Sequence, residues 1–224
     1  MRICVCLLIL CLAQLLAAQS TVKLSISFIP IFQEAELVLD ENDEKLSIET
    51  LKFYISNVEL YKGKKRGYKV PESYYLIDAS NANSMTIKLD IPAKQKLTHL
   101  KFNLGVDSLT NVSGAFGGDL DPTNGMYWTW QSVYINFKLE GTAAECPARH
   151  NRFQYHIGGY QYPHNTLKEV KMKIVDREEI RIELNLDEVF NKVDIAEQYE
   201  IMNPNENAVE FAQLLPSLFS IVTE

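Results

Sequence analysis

The sequence predicts an all-β fold: an antiparallel two-sheet β-sandwich with short helical segments towards its C-terminus. Three observations predict it. Apolar and polar residues alternate with a period of two in run after run, the pattern of strands whose successive side chains point to opposite faces. Turn-forming stretches such as Lys62-Gly63 and Asp121-Pro122 to Asn124-Gly125 separate those runs. Helical periodicity enters only late. Short strands with one apolar face each can bury that face only against a second sheet.

The chain begins with Arg2, then an almost unbroken apolar run from Ile3 to Leu16, then Ala17-Ala18 ahead of the polar Gln19-Ser20. That order is a secretory signal peptide, too short and wrongly flanked to be a membrane span. Cleavage is expected after Ala18, which leaves residues 19–224 as one domain in the periplasm or the extracellular space. Lipidation is the rival reading, because Cys4, Cys6 and Cys11 lie in this segment. Cys11, however, follows Leu8-Ile9-Leu10 with no small residue before it, and the other two come too early. No second apolar run is long enough to insert in a membrane.

Strand patterning starts directly afterwards. Val22, Leu24, Ile26 and Phe28 share one face, opposite Lys23, Ser25 and Ser27. Leu51, Phe53 and Ile55 alternate with Lys52 and Tyr54, and the pattern continues to Leu60. Met85, Ile87 and Leu89 repeat it, as do Leu100, Phe102 and Leu104. Val133, Ile135, Phe137 and Leu139 face away from Tyr134, Asn136, Lys138 and Glu140. Val170, Met172 and Ile174 form a further strand, and Ile180, Ile182, Leu184 and Leu186 another. Helix is expected around Asp187 to Lys192 and from Glu206 to Leu215, where Asn205 or Asn207 can cap.

Charge and cysteine usage narrow the function classes. The chain carries a net charge of −7, and removal of Arg2 with the signal peptide takes it to −8. An acidic surface argues against nucleic acid and anionic membranes. The basic cluster Lys62-Gly-Lys-Lys-Arg-Gly-Tyr-Lys69 lies between two strand-like runs and reads as a solvated hairpin tip. Only Cys146 remains after cleavage, so the mature chain has no internal disulfide framework. Its loop-like surroundings, Gly141 to His150, place it near the surface.

The standard catalytic motifs are absent. There is no glycine-rich phosphate loop, no Gly-x-Ser-x-Gly, no His-Glu-x-x-His and no Cys-x-x-Cys. A hydrolase would need a triad assembled in space from His150, His156 or His164. The protein is therefore expected not to be an enzyme.

Residues 107–163 interrupt the strand-and-turn pattern. Trp128 and Trp130 are the two tryptophans of the chain, and a strand beginning near Tyr127 would point both to one face. Large paired rings of this kind commonly close a core. His156 lies within Phe153, Tyr155, Ile157 and so on the opposite face from them. A neutral imidazole suits copper, with His164, His150, Met126 or Cys146 as possible companions; thioether or thiolate would favour the cuprous state. Asp119, Asp121 and Asn124 offer hard oxygen donors at a turn, which Asp107 and Asn111 could complete as a calcium site. The alternative is an Asx turn that caps its own backbone.

Several blocks also look familiar. Leu51-Lys-Phe-Tyr-Ile-Ser-Asn-Val58, Phe102-Asn-Leu-Gly-Val-Asp107, Gly118-Asp-Leu-Asp-Pro122, Gly125-Met-Tyr-Trp-Thr-Trp130, Lys138-Leu-Glu-Gly141 and Tyr155-His-Ile-Gly158 resemble the MbnP-like family. These are periplasmic copper-binding proteins of methanobactin operons, related to methanotroph copper-repressed surface proteins. The resemblance runs across nearly the whole mature chain, and Trp-x-Trp and His-x-Gly are its most specific parts. It implies copper binding, and His156 falls on the family's His-x-Gly histidine. His164 is a weaker candidate by its proximity in sequence and not by a motif, and Met126 stands only as one of the possible companions named above. It also implies that Trp128 or Trp130 is oxidised to kynurenine by a partner di-haem peroxidase of the MauG-like kind. The competing reading is a structural or interaction module that has kept the sandwich and lost the metal.

Overall fold

The structure is a computed structural model, and it describes residues 21–31, 46–92, 96–175 and 178–222. The signal peptide expected at residues 1–18 lies outside the described residues. Two sheets face each other. The smaller contains β1 (Thr21–Ile31), β5 (Thr86–Pro92), β11 (Glu179–Asn185) and β13 (Phe219–Ile221), in the order β13-β11-β1-β5. The larger runs β10 (Lys168–Lys173), β6 (His99–Leu104), β2 (Leu46–Lys62), β8 (Val133–Ala143), β9 (Arg152–Gly158) and β12 (Glu200–Ile201). Short β3 (Lys65–Lys69) and β4 (Tyr74–Asp78) add to β2, and β7 (Tyr127–Trp128) adds to β8.

The alternating apolar positions do what the pattern predicts. Leu24, Ile26 and Phe28 from β1 meet Leu51, Phe53 and Ile55 from β2 in one buried cluster with Phe102, Phe137 and Leu139. Phe28 stands edge-on to Phe53, with ring centroids 5.6 Å apart, an arrangement the ring quadrupoles favour. The basic cluster forms the exposed β2–β3 hairpin with its turn at Gly63. Most pairings are antiparallel, but β1–β11 and β9–β12 are parallel.

The late helices form as α2 (Asp187–Phe190) and α3 (Glu206–Leu214). Asn205 caps α3 by accepting from the Ala208 amide, and Phe211 of α3 packs on Tyr155 of β9 at 5.0 Å. An earlier helix, α1 (Ser108–Ser113), was not expected. Asp107 caps it through the Thr110 amide, and its single buried side chain is Asn111. Six residues facing mostly solvent carry too short a pattern to register as a helical period.

A second, smaller core forms on the outer side of the large sheet. Tyr54, next in the chain to Phe53, turns to the opposite face and packs with Val106, Leu120, Met126, Trp128, Val133, Tyr134 and Ile135. The segment between β6 and β8 covers it. That segment is fastened by polar contacts: the Tyr54 hydroxyl donates to the Asp119 carbonyl (3.0 Å) and the Tyr134 hydroxyl to the Leu120 carbonyl (3.0 Å). Lys52 reaches the Asn124 carbonyl at 3.3 Å and Lys138 the Gly125 carbonyl at 3.4 Å.

Cys146 corrects the sequence expectation. It is 2% exposed, belongs to the main core, and its thiol lies 3.1 Å from the Arg152 carbonyl. The polar neighbours that suggested a surface position form a turn around it, and the small apolar thiol fills the space beneath.

Candidate functional site

Pairing of β8 with β9 sets the site. Lys138 lies opposite His156 and Glu140 opposite Gln154, so the outward-facing side chains of the two strands form a polar cluster. His156 Nε2 lies 2.7 Å from Glu140 Oε1, and Gln154 Nε2 donates to that same oxygen at 3.2 Å. Lys138 Nζ stands 3.7 Å from it. Although it is on the outer face, His156 is only 6% exposed.

Charge in this cluster is well defined. Burial drives the His156 imidazole below its ordinary value, outweighing the pull of Glu140 in the other direction. Burial pushes Glu140 up, but the hydrogen bond from His156, the Lys138 charge and contacts from Thr50 and Gln154 overcome it and hold the carboxyl at about 2. A neutral imidazole thus faces an ionised carboxylate.

Two buried side-chain polar atoms among the described residues have no hydrogen-bond partner: His156 Nδ1 and Trp128 Nε1. Such atoms are uncommon in folded proteins and call for an explanation. Trp128 packs over Gly158, two residues along β9 from His156 and on the same face. The other tryptophan differs. β7 stops at Trp128, so alternation does not carry on to Trp130, and the two rings part in exposure: 6% for Trp128 against 64% for Trp130. Their centroids still lie 6.1 Å apart.

The remaining candidates lie on other segments of the chain. Met126 is fully buried in the second core beside Trp128. His164 is half-buried and lines an open cleft of about 340 Å³ with Gln131, Val133, Tyr160, Tyr162 and Pro204. A buried chain of bonds anchors the cleft wall: the Val106 amide donates to Asn136 Oδ1, Asn136 Nδ2 to Thr166 Oγ1, and Thr166 Oγ1 to the Gly159 carbonyl. His150 sits on a turn with φ of 60°.

The oxygen donors considered for calcium each hold a piece of protein. Asp107 caps α1 and takes the Tyr74 hydroxyl. Asn111 donates to the Val106 and Asp107 carbonyls and accepts from the Tyr134 amide. Asp119 accepts from the Leu76 amide on the β4 edge, and Asp121 forms an Asx turn with Thr123. No group of three or more His, Cys, Asp or Glu able to hold a metal ion forms among the described residues.

The MbnP family model matches residues 21–204. The chain belongs to the MbnP family. No curated protein matches this MbnP-family sequence. Among solved structures, MbnP from Methylosinus trichosporium is similar, with a TM-score of 0.61 over 90% of this chain and 98% of that one. The two are 15% identical, so the likeness establishes the MbnP fold, while side-chain roles rest on the geometry described above. No helix among the described residues is long and apolar enough to cross a membrane.

Sequence reasoning missed Glu140 as a member of the site. Its outward position in β8 was legible from alternation with Phe137 and Leu139, but its partner depended on strand order and register, which the pattern does not encode.

Proposed function

We propose that this protein is an exported copper-binding protein with no turnover of its own, in which His156 supplies an imidazole ligand beside Trp128. The unpartnered, buried Nδ1 of His156 carries this reading. A neutral imidazole with a free lone pair is the form that binds copper, and a carboxylate behind the ring is the usual companion of a metal-bound histidine. The described residues supply one such nitrogen and no group of three His, Cys, Asp or Glu, so the donor set among them is incomplete.

Trp128 is the residue proposed to complete it. Oxidation to kynurenine by a separate di-haem peroxidase, with peroxide as the oxidant and the indole C2 leaving as formate, would open the indole into a ketone and an aromatic amine. These are two new donors over Gly158, two residues along β9 from His156. Trp130, being exposed, is where such an enzyme can make contact. Copper held there would serve acquisition, storage or relay.

The test is intact mass and metal analysis of the mature protein from its native host, followed by copper titration. The expected result is a mass ~4 Da above that of the mature chain, localised to Trp128, with near-stoichiometric copper lost in His156→Ala. Full copper affinity in His156→Ala would overturn the assignment.

A second reading, an interaction module, draws on a different observation. Leu109, Val112, Phe116, Trp130 and Tyr162 are exposed apolar side chains, all in the segments bordering the second core. An unmodified mass with no bound copper would favour that reading.

A further inference from the structure

We propose that Glu140 is the positioning residue of this site: it holds His156 in the Nε2–H tautomer and thereby makes Nδ1 the atom that meets the metal. The inference deepens the copper reading and rests on it for the identity of the ligand, but the tautomer itself is a property of the protein alone.

A neutral imidazole has one donor nitrogen and one acceptor nitrogen, and the hydrogen bond made by one fixes the other. Glu140 Oε1, 2.7 Å from Nε2, is an acceptor when ionised, so Nε2 must carry the proton. The alternative tautomer would place two lone pairs against each other at this distance. It would also bury the Nδ1 proton with no acceptor, since Nδ1 has no partner. Glu140 is itself held in place. Gln154 donates to the oxygen that faces His156, and Lys138 stands beside that oxygen. The carboxylate is therefore oriented before any metal arrives, and Nδ1 is left buried with its lone pair unused.

This arrangement also explains why burial of His156 is compatible with metal binding. Metal ions bind the deprotonated nitrogen and must otherwise displace a proton. Here the proton has already been assigned to the nitrogen that faces the carboxylate. Removal of such an outer partner typically weakens metal binding by about 10- to 100-fold.

The experiment uses the mature protein labelled with ¹⁵N-histidine in its native host, so that Trp128 is in its native state, as wild type, Glu140→Gln and Glu140→Leu. Long-range ¹H–¹⁵N correlation reads the His156 tautomer without metal. Cuprous ion is then titrated against a chromophoric chelator. The wild type should show a single Nε2–H tautomer. Glu140→Leu should populate both tautomers and lose about 10- to 100-fold in copper affinity. Glu140→Gln keeps a carbonyl acceptor and should fall between the two. Folded Glu140→Leu protein that retains the wild-type tautomer or the wild-type affinity would overturn the proposal. If that variant does not fold, Glu140→Gln decides, and wild-type behaviour in both readouts would sink the idea. A wild type with the Nε2–H tautomer and no copper affinity would support the orienting role of Glu140 while rejecting the copper reading.

Discussion

Trp128 occupies the space that a side chain at position 158 would need. A Cβ built on Gly158 would lie 2.7 Å from Trp128 Cζ3 and 2.7 Å from the Tyr134 carbonyl oxygen. The indole ring could shift, but the backbone carbonyl of β8 cannot move without disturbing the β8–β9 ladder. In protein made without the oxidase, Gly158→Ala should therefore destabilise the fold by about 1–3 kcal/mol, as overpacking does, and shift the emission of Trp128. Urea unfolding followed by fluorescence checks both. A Gly158→Ala protein as stable as wild type would mean that the ring does not seat on β9.

Asn111 joins α1 to the large sheet through all its polar groups. It is buried, donates to two carbonyls, and accepts from the Tyr134 amide. Replacing it with alanine leaves the Tyr134 amide unpaired inside the second core. An unsatisfied buried group of this kind costs about 1–3 kcal/mol. Hydrogen exchange should show the Tyr134 amide losing protection ahead of residues in the main core.

Acidification should weaken the fold in a defined order. His156 titrates below its usual 6.5 because it is buried, with Lys138, Glu140 and Glu200 as the charged groups acting on it. The unfolded chain therefore takes up that proton first as pH falls. Stability is full above 6.5 and is lost as pH drops through the lower, folded value. Glu140 acts in the same direction further down, from its ordinary 4.5 towards about 2. The urea midpoint should fall between about pH 7.5 and about pH 5, and His156→Gln should flatten that interval. An equal slope in the variant would assign the loss to other groups.

Cys146 should be unreactive in the native state. Its thiol is buried in the main core against the Arg152 carbonyl. A thiol buried in this way is out of reach of a reagent in solution. Reaction with a disulfide reagent should await unfolding, at a rate that follows the unfolding rate. Rapid modification of folded protein, or a disulfide-linked dimer, would contradict this placement.

The two tryptophans should separate in solution. In protein made without the oxidase, where both rings are intact, Trp130 is exposed and Trp128 is not, so acrylamide should quench one component of the emission and spare the other. Trp130→Phe should remove the quenchable component. Equal quenching of both rings would show that the segment covering the second core opens freely.

Composition and alternation alone determined the strands, because a period of two is a local property and each strand carries its own record of which face is apolar. The faces of Phe28, Phe53, Phe137 and His156 were all legible in that way, and so was the Asn205 cap of α3. The quoted blocks were equally sufficient for the family, since motifs survive in the order of residues. Tertiary structure decided what meets what. Glu140 and His156 are neighbours only because β8 and β9 pair with Lys138 opposite His156, a register set by the whole sheet. Trp128 and Trp130 differ in burial because β7 ends between them, and Cys146 is buried because its turn folds over it. Such outcomes depend on contacts between residues distant in the chain, which no local pattern records.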